Sequence, residues 1–210
     1  VSVFSPMGNY LYFIHDDGVH GYELWKTDGT TAGTSMVVDL NNGSGNGVGG
    51  NKGAHYVHGT TLYYQCDDGS GGSNTKFCKT DGTASGTVIL HSNLDISENP
   101  GNHNWAHIGN IVYFLADDGI HGKELWQSDG TESGTVLVRD IYPGTWSNTN
   151  TPNDGDPTNM IGAGTKLYFA ALTYGNGNEL WALDPANITL DLPPPVSWET
   201  YPALPAGMSI

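Results

Sequence analysis

Long apolar runs are missing from this 210-residue chain. No stretch of 18 consecutive apolar residues occurs, so no helical membrane span is encoded. Positive charge is equally scarce, with 7 Lys+Arg against 22 Asp+Glu and a net charge of −15. Phosphate recognition needs clustered Lys and Arg, so nucleic acid is excluded as a partner, and an anionic membrane surface is disfavoured on the same ground. Charged residues make up only 14% of the chain and apolar residues 37%, the opposite of a disordered composition. No segment carries a helical apolar period of useful length. The G-x-S-x-G, H-E-x-x-H and phosphate-loop signatures do not occur, and the chain is read as a non-enzyme.

The length fits one domain or two small ones. Net negative charge concentrates cations at the surface, so a metal ion or a carbohydrate suits this chain better than a polyanion. The only cysteines, Cys66 and Cys78, flank a Gly/Ser-rich stretch from Asp67 to Ser73. A hairpin would set them side by side. A disulfide is the leading reading and implies an oxidising compartment, with a paired-thiol metal site as the alternative. The chain opens at Val1 without a charged n-region or apolar h-region and is read as a mature, processed form. Together with the low Lys content and acidic balance, this predicts a secreted or surface-exposed protein.

Internal repetition dominates the sequence. Glu23-Leu24-Trp25-Lys26-Thr27-Asp28-Gly29-Thr30 returns as Glu124-Leu125-Trp126-Gln127-Ser128-Asp129-Gly130-Thr131. A degraded copy runs from Lys76 to Thr83, and a last one from Glu179 to Asp184 stops at Pro185. The second positions, Leu24, Phe77, Leu125 and Leu180, recur at spacings of 53, 48 and 55 residues. Each unit has a short strand, a Gly turn (Gly8, Gly59, Gly109, Gly164), an aromatic strand, an E-L-W strand, a D-G-T loop and a closing strand. An Asp-Asp-Gly turn precedes the E-L-W strand in the first three units. The last closing strand is placed at Ile188 to Leu190.

This plan predicts an all-β fold of four repeats of about 50 residues, a four-bladed β-propeller, with a β-sandwich of hairpins as the alternative. Residues 1–192 form a single repeat-built domain with units at about 1–40, 54–94, 103–141 and 159–192. Residues 193–210 form an extended Pro-rich tail. Irregular insertions interrupt the plan at Asn41 to Gly53 and Tyr142 to Asn159. Trp25, Trp126 and Trp181 are expected between blades, since one blade cannot bury both faces alone.

Eight histidines are present. His20 and His121 occupy equivalent places in D-G-x-H-G-x-E-L-W and are read as turn histidines. His15 and His91 lie at a strand end and a loop edge. The remaining four fall in pairs before two Gly turns, as His55 with His58 and His103 with His107. Aligned on Gly59 and Gly109, His55 lies level with Trp105, and alternation puts Trp105 and His107 on one face. The first strands line the channel of a propeller. Two imidazoles on adjacent inner strands suit a late first-row metal, copper first in the Irving–Williams order.

The E-L-W-x-x-D-G-T units resemble the ELWxTDGT repeat of bacterial secreted and surface proteins, over most of the chain. Trp105-Ala106-His107 on an acidic surface protein resembles the W-x-H motif of the copper-repressible surface proteins of methane-oxidising bacteria, the CorA/MopE type. That resemblance implies a copper ion, Cu(I) more than Cu(II), held by two histidines and a tryptophan oxidised to kynurenine, for copper acquisition or handling. It carries over to Trp105 as the kynurenine and His107 as one ligand. The strand alignment assigns the second histidine to His55, with His58 and His103 as the alternatives.

The Asp-Asp-Gly aspartates and Asp28, Asp81 and Asp129 are expected to cap turns, with calcium as a secondary cofactor reading centred on Asn153-Asp154-Gly155-Asp156. The competing functional reading is a non-catalytic surface module for a glycan or a protein partner, with Trp146 as its exposed aromatic.

Overall fold

The computed structural model describes residues 2–48, 54–70, 76–96, 104–146, 150–173 and 177–187. The fold is all-β, built from four antiparallel sheets. The first sheet comprises β1 (Ser2–Met7), β2 (Tyr10–Asp16), β3 (Tyr22–Thr27) and β4 (Ser35–Met36). The second comprises β5 (His55–His58), β6 (Thr61–Cys66), β7 (Lys76–Thr80) and β8 (Val88–His91). The third comprises β9 (Trp105–Ile108), β10 (Ile111–Asp117), β11 (Lys123–Ser128) and β12 (Val136–Arg139). The fourth has three described strands, β13 (Thr158–Ala163), β14 (Lys166–Thr173) and β15 (Gly177–Leu183). The expected closing strand at 188–190 and the Pro-rich tail at 193–210 lie outside the described residues. Among the described residues the only helical element is a 3-10 turn at Pro185–Asn187.

The turns follow from their chemistry. Gly8, Gly59, Gly109 and Gly164 adopt φ of 59°, 59°, 57° and 62°, a region open to glycine without steric cost, and each joins the first two strands of its sheet. In the D-G-T-x-x-G-T loop, Asp28 Oδ1 accepts hydrogen bonds from the Thr30 amide and hydroxyl at 2.9 and 2.7 Å. Asp81 and Asp129 repeat this with Thr83 and Thr131. A Cβ on Gly33, Gly86 or Gly134 would overlap that aspartate, which explains the second glycine of the motif. Asp16, Asp67 and Asp117 accept the amides of Gly18, Gly69 and Gly119. The aspartates of both motifs are therefore turn caps, as their recurrence with the repeat predicts.

Cys66 and Cys78 are joined in a disulfide across β6 and β7, with Cα atoms 5.8 Å apart. Both are completely buried.

Apolar side chains from the sheets meet in three clusters. Met7, Tyr12, Ile14 and Leu24 of the first sheet meet Leu62, Tyr64, Cys66 and Cys78 of the second. Tyr63 and Phe77 meet Val112, Phe114 and Trp126 of the third. Tyr113, Leu115 and Leu125 meet Leu167, Phe169, Trp181 and Leu183 of the fourth. The second and third sheets are therefore covered on both faces.

Two buried glutamates tie the insertions to this stack. Glu124 is fully buried, and its carboxylate accepts the amides of Ile141 at 2.8 Å and Gly155 at 2.9 Å. Glu23 accepts the Leu40 amide at 3.4 Å. Lys76 holds the equivalent place in the second sheet and pairs instead with Asp68 and Ser70.

Candidate metal centre between the second and third sheets

The first strands of the second and third sheets bring together four chemically informative side chains. On β5, alternation sends Tyr56 and His58 to one face; on β9 it sends Trp105 and His107 to one face. These two faces meet. The His58 and His107 rings lie 4.3 Å apart, centroid to centroid. The Tyr56 hydroxyl and His107 Nδ1 share a hydrogen bond of 2.9 Å. Tyr56 stacks on Trp105 at 5.3 Å with an interplanar angle of 6°. Trp105 in turn stacks on Phe114 at 4.9 Å. Below the imidazoles the cluster runs into the apolar core of Phe77, Phe114 and Trp126. Above them it opens to solvent through the exposed His107.

Electrostatics favour a neutral His58. Burial lowers the His58 pKa from its ordinary value, and the neighbouring His107 charge lowers it further. Burial also raises the Tyr56 pKa, so the phenol keeps its proton at neutral pH. When His107 donates Nδ1–H to the Tyr56 oxygen, its Nε2 lone pair is left to face outward. Metal-binding histidines are usually oriented by a hydrogen bond of this kind.

The imidazole beside His107 is thus His58. The His55 side of β5 faces the other way, where His55 lines a cavity with Tyr12, Phe13, Leu24 and Tyr64 at the first sheet. The alignment that made His55 level with Trp105 is correct in register, since His55 pairs with Tyr64 and Trp105 with Phe114. Equivalent positions in stacked sheets, however, point the same way along the stack, so they do not face each other. The opposite alternation meets instead. Tyr56 escaped the sequence reading, although the same alternation from His58 leads to it. His103 lies outside the described residues.

The other histidines sit as turn or packing groups. His20 Nδ1 bonds the Asp17 carboxylate at 2.7 Å and His121 Nδ1 bonds Asp118 at 2.8 Å. These rings engage a carboxylate, and it is their backbone amides that bond the same aspartates. His15 and His91 pack edge-on against Trp25 and Trp126, each at 5.4 Å. In the second insertion, Asp154 Oδ1 accepts the Lys123 amide at 2.9 Å. Trp146 is 53% exposed and meets Tyr142 edge-on at 6.1 Å.

Among the described residues, no three His, Cys, Asp or Glu side chains converge on one point. A metal at His58 and His107 would therefore complete its shell from the adjoining aromatic groups or solvent. Two imidazoles with a low coordination number suit copper, so the residues present fit the ion.

The molecule is an all-β repeat protein with an imidazole–aromatic cluster between two of its sheets. No family model matches the sequence, and no curated protein matches it. A puromycin-hydrolyzing peptidase of Mycobacterium tuberculosis is similar in fold, at 12% identity and a TM-score of 0.50, over 91% of this chain and 30% of that one. A puromycin hydrolase aligns at 19% identity and a TM-score of 0.48, over 87% of this chain and 26% of that one. The chain therefore spans less than a third of either protein, and at 12% identity the likeness to the first is one of fold alone.

Proposed function

We propose that this chain is a secreted or cell-surface copper-binding protein, serving copper acquisition or handling, in which His58 and His107 hold the ion. The observation that carries the reading is the contact between these two imidazoles, with Tyr56 fixing one of them. His58 replaces His55 in the pair expected from the sequence. The reading is non-catalytic, because the paired aspartates are used as turn caps. The four sheets are taken as successive blades of a propeller-type array. A sandwich offers each sheet one inner face, whereas the second and third sheets here are covered on both.

Trp105 enters this proposal as the precursor of kynurenine. Dioxygen cleaves the indole C2–C3 bond and adds both oxygen atoms, giving N-formylkynurenine. Water then removes formate, leaving an aryl amine and a ketone. The amine offers a nitrogen lone pair that the indole ring withholds.

Elemental analysis after gel filtration tests the reading. Copper near one equivalent is the expected result, and a protein that stays metal-free after incubation with Cu(I) overturns it. Peptide mass mapping across 100–111 tests the modification separately. Unmodified tryptophan in fully copper-loaded protein would remove kynurenine from the proposal and leave the histidine pair standing.

A second reading has its own observation. The exposed Trp146 with Tyr142 beside it offers an aromatic platform of the kind that stacks on sugar rings. Glycan-array binding that is lost on Trp146→Ala would favour it.

A further inference from the structure

The junction between the first and second sheets and that between the third and fourth are built from equivalent residues, yet they differ in kind. Ile14 pairs with Leu24 in the first sheet as Leu115 pairs with Leu125 in the third. Val48 follows Gly47, whose amide Glu23 holds, as Asp156 follows Gly155, whose amide Glu124 holds. The Ala54 carbonyl accepts the amide of Gln65 in the second sheet, and Thr158 lies opposite the equivalent Ala170 in the fourth. At the earlier junction Ile14, Val48 and Ala54 border a mostly apolar cavity of about 20 Å³, room for one water. At the later junction Leu115, Asp156 and Thr158 border a cleft of about 410 Å³. The repeat allows this place to close on apolar side chains, so its open and polar form between the third and fourth sheets is not imposed by the fold.

Asn104, Lys123 and Asn178 also border the cleft, and Leu172 adds to the apolar surface of Leu115. Asn104 is 4% exposed, and its Oδ1 is buried without a hydrogen-bond partner among the described residues. An amide so placed costs the empty protein stability, because its oxygen has given up water and gained nothing in return. Turning about χ2, a broad torsion in asparagine, brings that oxygen to a molecule seated in the cleft. Lys123 and Asp156 carry opposite charges, and both have partners already, so the cleft favours neither an anion nor a cation. The amides of Asn104 and Asn178 and the hydroxyl of Thr158 can each donate and accept hydrogen bonds.

We propose that the cleft between the third and fourth sheets binds a neutral sugar, with Asn104 accepting a hydrogen bond from a ring hydroxyl. A sugar hydroxyl donates and accepts at once, which matches the two amides and the Thr158 hydroxyl. The C–H faces of the ring pack against Leu115 and Leu172. The volume lies within the range of about 300–1,000 Å³ that small-ligand pockets occupy. The buried orphan at Asn104 is thereby explained as a group held ready for its ligand. The cleft shares no residue with the His58 and His107 pair, nor with Trp146, so the inference stands whether or not the protein binds copper.

Saturation-transfer NMR of the full chain with a panel of neutral mono- and disaccharides tests it, followed by calorimetric titration of those that bind. At least one sugar is expected to bind. Asn104→Leu, similar in shape but without the amide, should weaken that binding by about tenfold or more. The same variant should melt at an equal or higher temperature, because the orphaned oxygen is gone. A purely structural role for Asn104 gives the reverse, a lower melting temperature with sugar binding intact, and overturns the proposal. Thr158→Val, at a half-buried position, removes the hydroxyl and should also weaken binding. It decides the matter if Asn104→Leu fails to fold. Trp146→Ala should leave the affinity unchanged. A chain that binds no sugar of the panel overturns the proposal. Sugar binding that is lost on Trp146→Ala but survives Asn104→Leu and Thr158→Val overturns it as well, since the sugar would then sit on the exposed aromatic.

Discussion

The imidazoles of His58 and His107 lie 4.3 Å apart on the inner strands of two different sheets. Neither strand could supply this pair alone, because residues that share a face of one strand are two apart. The junction between sheets is therefore the structural basis of the site. Copper affinity should collapse with either His58→Ala or His107→Ala, by about a hundredfold or more, since among the described residues these two imidazoles alone meet there. His55→Ala should leave affinity unchanged, as should His20→Ala. A competition titration of Cu(I) against a coloured chelator measures this. Loss of affinity with His55→Ala and none with His58→Ala would reverse the assignment.

Tyr56 gives a finer test. Its hydroxyl meets His107 Nδ1 at 2.9 Å while its ring stacks on Trp105. Tyr56→Phe keeps the stack and removes only the hydrogen bond. We expect copper affinity to fall by about tenfold, in keeping with the loss of an outer partner that orients a ligand. The melting temperature should change little. An unchanged affinity would mean that His107 needs no orienting partner.

Most of the fold was legible because the repeat carries its own punctuation. The four Gly turns, the Asp-capped loops and the E-L-W strands each have a local chemical cause, so periodicity in the sequence became periodicity in space. The site was harder to read. Register placed Trp105 level with His55 correctly, but facing is a property of how two sheets stack, and a repeat hides it by making every sheet look alike. The direction of stacking is visible only through contacts such as Tyr12 with Gly82. The buried Glu23 and Glu124 were seen as parts of a motif. Their role in tying down insertions depends on loop paths that no local pattern encodes.

The disulfide is a separate handle on stability. Cys66 and Cys78 are fully buried in the cluster between the first and second sheets. Closing a loop of this size restricts the unfolded chain by about 3 kcal/mol. The Cys66→Ala/Cys78→Ala chain should lose roughly that much in urea unfolding. Thiol labelling of the denatured, unreduced protein should find no free cysteine. Full labelling would show that the bond does not form in the isolated protein.

The last expectation concerns pH and rests on Glu124. Burial pushes its pKa up to about 8, from an ordinary value near 4.5, against the opposing pull of the Ile141 and Gly155 amides. Burial likewise raises Glu23 to about 7. A raised folded-state pKa means that the folded chain binds more protons than the unfolded chain between these values. Stability from these groups is therefore complete below about pH 4.5 and is lost as pH rises toward 8. We expect the unfolding free energy to fall by several kcal/mol across that window, at about 1.4 kcal/mol per unit of pKa shift. His20 adds a smaller loss of the same sign, since its pKa is raised by Asp17. Glu124→Gln should flatten the slope. It should also lower stability at pH 5, because the amide offers one oxygen where two N–H groups now find acceptors. Glu179→Gln, at the equivalent but exposed position, should change neither quantity. Urea unfolding at pH 5, 6, 7 and 8 measures both effects. A wild-type curve that rises across this window, or a Glu124→Gln chain with an undiminished slope, would show that Glu124 is ionised in the folded protein throughout.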